Sequence, residues 1–162
     1  MTAGFTTEPD LAILLTAANR CVADRLVQAV SAVSNGAMRS SYGFVLRAVA
    51  AEEPTVSRLA ELLGVSKQAA SKLADDMVIA GFLQRGDDPV DRRRTPLRLT
   101  ELGRRVRSTA IAESRAMEIE LRTRFGNAAT DQFRLLLTDF VQRHGGASEI
   151  AARRSRAPLE TD

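Results

Sequence analysis

The chain has 162 residues, 44% of them hydrophobic and 27% charged, with a formal net charge of +3, the balance of one soluble globular unit rather than a disordered or fibrous chain. The apolar run Leu11–Ala18 is broken by Asn19 and Arg20, well short of the roughly 20 residues that cross a bilayer, and residues 1–10 hold two acids and no basic cluster, unlike a secretory signal, so a cytoplasmic location is expected. A single cysteine, Cys21, excludes an internal disulfide, and a single histidine, His144, leaves little for a zinc site or a histidine-based triad; no enzymatic activity, cofactor or metal is expected.

Residues 1–9 read as a flexible lead. From Asp10 onward, Leu11, Leu15, Ala18, Val22, Leu26, Val30 and Val33 recur at three- and four-residue intervals, which predicts a long amphipathic helix. Asn35-Gly36 is its stop signal. Phe44, Val45, Val49 and Ala50 suggest a shorter second helix, closed by Glu52-Glu53-Pro54.

Thr55 is placed to cap a third helix carrying Val56, Leu59, Ala60 and Leu63 at helical spacing. Gly64 ends it, and Ser66 caps a fourth helix running to about Ala80. Two short helices joined through a tight glycine turn form a helix-turn-helix, with Val65 expected to plug the angle. On a helical wheel Lys67, Gln68, Ser71, Lys72 and Asp75 share one face, and Ala69, Ala70, Leu73, Ala74 and Met77 the other. Ser66, Lys67, Gln68, Ser71 and Lys72 then lie near the positive end of the helix dipole, as side chains able to donate to base edges and phosphates.

Gly81 ends that helix. Phe82-Leu83-Gln84-Arg85 and Thr95–Thr100 alternate like strands around a turn at Gly86–Pro89. Near the tip of this hairpin stand Asp91, Arg92, Arg93 and Arg94. Three adjacent guanidiniums are costly to bury, so they face solvent or a polyanion, and an extended basic loop suits a minor groove. Asp91 reads either as the residue that orients one of these arginines through a bidentate pair or as a turn residue bonding its own backbone. Residues 54–107 hold 11 basic and 7 acidic side chains, which puts the positive excess of the chain in its middle.

Beyond Gly103, the series Val106, Ala110, Met117, Leu121 and Phe125 predicts a long helix stopped by Gly126-Asn127, and Phe133, Leu136, Leu137, Phe140 and Val141 predict a last one stopped by Gly145-Gly146. His144 reads as a helix-end residue favoured by the dipole, and Met38, Met77 and Met117 as packing residues. The fold class that results is mainly α with a small β-hairpin wing: a winged helix-turn-helix over 37–103, a helical dimerisation region over 10–36 and 104–145, and a flexible tail over 146–162. The terminal helices are too long to bury their own stripes, so a homodimer is expected through them, against the alternative of an intramolecular bundle.

The blocks Leu59-Ala60-Glu61-Leu62-Leu63-Gly64-Val65-Ser66-Lys67-Gln68-Ala69-Ala70-Ser71-Lys72-Leu73, Gly81-Phe82-Leu83, Asp91-Arg92-Arg93 and Leu99-Thr100-Glu101-Leu102-Gly103 resemble, in order and spacing, the winged helix-turn-helix of the multiple-antibiotic-resistance regulator (MarR) family. The resemblance spans about Tyr42–Arg107 and departs from the family at Leu102, where lysine is usual, at the expense of one phosphate contact. It implies a homodimeric transcription factor, usually a repressor, whose DNA affinity is often lowered by a small aromatic or phenolic ligand or by cysteine oxidation; the two-fold symmetry of the expected dimer in turn calls for an imperfect palindrome in double-stranded DNA. Arg39, Tyr42, Phe44 and Arg47 are the candidate ligand pocket, a partly apolar, hydroxyl-bearing wall with counter-charges near the junction of the two regions, against the alternative that they only pack the second helix. Cys21, beside Arg20, is the candidate redox residue, against the alternative of an inert buried thiol. A winged-helix protein-interaction module without DNA binding is the competing reading, one that the cations Lys67, Lys72 and Arg92–Arg94 oppose.

Overall fold

The computed structural model describes residues 9–87 and 95–146, and the wing-tip residues Asp91, Arg92, Arg93 and Arg94 fall outside that range. Five helices and a two-stranded antiparallel hairpin follow in the order α1 (Leu11–Ser34), α2 (Tyr42–Glu52), α3 (Val56–Leu63), α4 (Lys67–Ile79), β1 (Leu83–Arg85), β2 (Leu97–Leu99) and α5 (Glu101–Val141). A single π-helical turn, Gln142–Gly146, closes the described chain.

The helix boundaries follow local chemistry. Asp10 Oδ1 accepts from the Ile13 amide at 2.9 Å and caps α1. At the other end Asn35 and Gly36 take left-handed backbone, with φ of 50° and 74°, the conformation that ends a helix at low cost with these two residue types. Glu53 ends α2 at a positive φ of 44°, and its carboxylate accepts from Arg98 Nε of β2 at 2.8 Å. Pro54 then supplies a carbonyl to the Leu97 amide at 2.9 Å, which ties the hairpin to the α2–α3 link.

One core lies inside the middle of the chain, built from Val45, Leu46 and Val49 of α2, Leu59 of α3, Ala74 and Met77 of α4, Phe82, Leu83 and Leu97 of the hairpin and Val106 of α5. Tyr42 and Phe82 meet edge to face at 5.9 Å inside it, a favoured aromatic arrangement. From α1 only Val30 joins as a fully buried apolar residue. Leu11 and Leu14 of α1, and Phe125, Phe133, Leu136 and Phe140 of α5, remain between 42% and 62% exposed.

The start of α5 explains the Leu99-Thr100-Glu101-Leu102-Gly103 block. Thr100 Oγ1 accepts from the Gly103 amide at 3.0 Å as the helix cap and donates to the Gly81 carbonyl at 2.5 Å. A Cβ on Gly103 would fall 2.1 Å from the Phe82 carbonyl oxygen, so only glycine lets the first turn of α5 touch the backbone at the root of the wing. Leu102 packs against the core and faces the Gly81 turn, which explains why an apolar residue is held there instead of a phosphate-seeking lysine.

Farther along, α1 and α5 run together under an ionic clamp. Arg25 Nε donates to Glu113 at 2.5 Å, while its two terminal nitrogens engage both oxygens of Glu120. Gly126, at φ 83° and ψ 165°, breaks α5 in a region of backbone space that is essentially glycine's own. The periodicity places the last helix around Phe133, but helical backbone resumes directly after Gly126, where Thr130 Oγ1 donates to the Gly126 carbonyl at 2.9 Å. Charges straddle the break: Arg122 donates to Glu118 and, at 2.8 Å, to Asp131, and Arg134 reaches Glu118 at 2.6 Å. Arg134 and then Arg122 hold the Glu118 carboxyl below the usual carboxylate range, and Arg25 does the same to Glu120.

Gly103→Ala is expected to lower stability by about 1–3 kcal/mol, since no rotamer relieves an overlap with backbone. Gly43→Ala, at an open position in α2 with nothing within 4 Å, is expected to keep or raise the melting temperature. Thermal denaturation of both variants checks the contrast, and equal melting temperatures would remove the close approach from the account of α5. The depressed Glu118 and Glu120 carboxyls contribute stability that is complete above their unfolded values and disappears as pH falls through the lower folded ones. Melting temperatures between pH 7 and 3 are therefore expected to fall less steeply in Glu118→Gln/Glu120→Gln than in wild type; parallel curves would contradict the clamp.

Candidate nucleic-acid interface

Two caps place the helix-turn-helix. Thr55 Oγ1 accepts from the Arg58 amide at 3.4 Å, and Ser66 Oγ from the Ala69 amide at 3.1 Å. Between them Gly64 is left-handed, with φ 67°, so the chain turns sharply from α3 into α4. The angle is closed by Leu59 and Ala60 of α3 against Ala70, Ala74 and Met77 of α4, all buried. Val65 does not plug it, being 42% exposed: the small side chains of Ala60, Ala70 and Ala74 already let the two helices approach. Ala69, on the edge of the expected packing side, is exposed as well.

The outer face of α4 carries the residues expected there. Lys67, Gln68 and Lys72 are exposed and Ser71 is half-buried. Ser66 accepts the capping hydrogen bond and keeps its hydroxyl proton for another acceptor. Beside this face stands the root of the wing, a three-pair ladder of Leu83 with Leu99, Gln84 with Arg98 and Arg85 with Leu97, extended by the Gly86 amide to the Pro96 carbonyl at 2.8 Å. Both ends of the segment that contains Asp91 and Arg92–Arg94 are thereby fixed next to α4. The roles expected of those four residues lie outside the described range.

Two ion pairs at this interface escape a reading by periodicity. Arg85 Nη2 donates to Asp75 Oδ1 at 2.6 Å, joining β1 to α4, and Arg39 lies 3.7 Å from Asp76. Their members are ten and 37 residues apart, distances at which helical spacing says nothing. The only available signal was Asp75 on the polar side of the wheel, with an arginine in the following strand.

The residues expected to form a ligand pocket are only partly brought together. Arg39 and Tyr42 line a cleft of about 330 Å³ with Asp76 and Ile79 between the α1–α2 turn and the end of α4, and the Arg39 guanidinium lies 5.7 Å from the Tyr42 ring centre. Phe44 and Arg47 are not in its lining; Arg47 is exposed on another side of α2, and Tyr42 itself is buried in the core. Cys21 is exposed on α1 rather than buried, and its neighbour Arg20 lies toward Asp24, at 3.7 Å. His144 packs against Phe140 with ring centres 4.5 Å apart. Met77 is buried in the core and Met38 packs against it. Among the described residues there is no cluster of three or more groups suited to a metal, and no helix long and apolar enough to cross a membrane.

Residues 41–94, from α2 past β1 and ending before β2, match the sequence model of the MarR family. The match takes in the helix-turn-helix, about a third of the chain. Among curated proteins no relative matches the sequence. Among solved structures, the chain is similar to the Staphylococcus aureus MepR–DNA complex at 19% identity, covering 82% of this chain and 96% of that one with a TM-score of 0.65. Wild-type apo MarR from Escherichia coli aligns at 20% identity over 83% and 99% of the two chains with a TM-score of 0.59. CouR from Rhodococcus jostii RHA1, solved bound to p-coumaroyl-CoA, aligns at 24% identity over 94% and 96% with a TM-score of 0.59. At these identities the likeness is one of fold, and its coverage takes in the flanking helices as well as the helix-turn-helix.

Proposed function

We propose that the chain is a homodimeric transcriptional regulator that binds double-stranded DNA at specific sites and acts as a repressor. The observation that carries this is the outer face of α4, where Lys67, Gln68 and Lys72 stand exposed beside a wing whose root is fixed by the β1–β2 ladder. An α-helix of this kind fits the major groove, where Gln68 and Ser71 can hydrogen-bond base edges while Lys67 and Lys72 neutralise phosphates. Arg92–Arg94, carried by the wing, would enter the adjacent minor groove, with Asp91 orienting one of them. The uncovered apolar side chains of α1 and α5 support a two-fold dimer, which would set two α4 helices about one DNA turn apart, near 34 Å. A small aromatic or phenolic acid is the proposed effector. At the Arg39 cleft it would take the guanidinium from Asp76 and so disturb the junction between α1 and α4. A Cys21-based redox signal is a second reading, supported by the exposure of that thiol.

The test is selection of duplexes from a random pool, followed by titration of selected and unselected duplexes at several salt concentrations. Enrichment of an imperfect palindrome is expected, with affinity falling as salt rises by a logarithmic slope of about −0.9 per phosphate contact. Gln68→Ala should cost roughly 1–3 kcal/mol on the selected duplex and little on the unselected one, whereas Arg92→Ala or Arg93→Ala should weaken both. A wild-type protein that enriches no sequence and binds duplex without salt dependence would instead support the protein-interaction module.

A further inference from the structure

The recognition helix and the wing are joined by an ion pair that lies on the face assigned to DNA. Asp75 shares that face with Lys67, Gln68, Ser71 and Lys72. One of its oxygens takes the 2.6 Å hydrogen bond from Arg85, the other lies 3.5 Å from Ser71 Oγ, and the two side chains of the pair are 51% and 41% exposed. Arg85 pairs with Leu97 across the ladder, immediately before Gly86, so it sits where the wing leaves the body of the protein. A shift of the wing against α4 must stretch this pair.

Charge gives the pair a second consequence. A lone carboxylate on the outer face of α4 would repel phosphates, and a lone arginine at the wing root would attract any duplex regardless of sequence. Paired, they present no net charge. Arg85 then adds little to sequence-independent attraction, while the wing stays at one angle to the helix that reads bases.

We propose that Asp75 is a positioning residue for DNA specificity: through Arg85 it fixes the wing against α4 and withholds one cation from indiscriminate phosphate binding. The proposal rests on the DNA-binding reading above, and its own consequences are separate from it. Asp75→Ala is expected to bind unselected duplex several-fold more tightly than wild type, to lose about tenfold or more in the ratio of selected to unselected affinity, and to steepen the salt slope by about one contact. Arg85→Ala, which leaves the carboxylate unpaired, is expected to weaken binding to both duplexes. Adding Asp75→Ala to it should restore affinity for unselected duplex, an opposite-sign coupling that a merely structural pair does not produce. Asp75→Glu, which keeps the charge, should keep the wild-type slope.

The experiment is fluorescence-anisotropy titration of the full chain on duplexes selected by wild type and on an unselected duplex of equal length, with circular dichroism to verify folding; Asp75→Asn replaces Asp75→Ala if the latter does not fold. An unchanged affinity ratio and slope in the Asp75 variant, or a double variant no tighter than Arg85→Ala, overturns the proposal while leaving the DNA-binding reading standing. A wild type that does not discriminate among duplexes overturns both.

Discussion

The apolar side chains left uncovered at the two ends of the chain are the constraint from which the rest follows. Leu11, Leu14, Phe125, Phe133, Leu136 and Phe140 are each about half exposed or more. At roughly 1.5–3 kcal/mol for full burial of such a side chain, together they withhold on the order of 5–10 kcal/mol, comparable to the whole stability of a typical domain. The middle of the chain has a closed core and needs no such help. A second copy placed against α1 and the far part of α5 would recover that free energy, and it would also fix the distance between two recognition helices.

For that distance to matter, the arm formed by α1 and α5 and the helix-turn-helix must move as one piece. The contact of Gly103 with the Phe82 carbonyl and the cap by Thr100 weld the first turn of α5 to the root of the wing. Arg25 then locks α1 to the same helix through Glu113 and Glu120. Beyond Gly126 the direction of the arm is held by Arg122 and Arg134 acting on Glu118 and Asp131. Asp75 with Arg85 continues the chain of fastenings from the wing to α4. A disturbance at the Arg39–Asp76 contact, such as the proposed effector would cause, would enter this series at the α1–α2 turn.

Much of this was legible in the sequence because short-range chemistry decides it. Asp10, Thr55 and Ser66 act as caps, Asn35-Gly36 and Gly64 as stops, and the alternation around Phe82 and Leu97 yields the hairpin, since each depends on neighbours within a turn or two. Tertiary geometry was less visible. Val65 looked like a plug because it is apolar, but whether a turn residue is covered depends on how closely two helices pack, which the alanines decide. Cys21 read as buried in the alternative to a redox role, yet it lies on a stretch of α1 that a single copy leaves open. The pairs formed by Arg25, Arg39 and Arg85 join residues distant in the chain, and no periodicity announces them. Phe44 and Arg47 were grouped with Arg39 by proximity in sequence, but helical rotation sends them to other sides of α2.

Sedimentation equilibrium of the free protein is the most direct test of the central claim, that the exposed ends of α1 and α5 are the faces of a dimer. Wild type at micromolar concentration should sediment at twice the chain mass of 17.6 kDa, and Phe133→Asp/Phe140→Asp should sediment as a folded monomer that has lost tight binding to the selected duplex. A wild-type monomer that nevertheless binds that duplex tightly, or a double variant that remains a dimer, would contradict it.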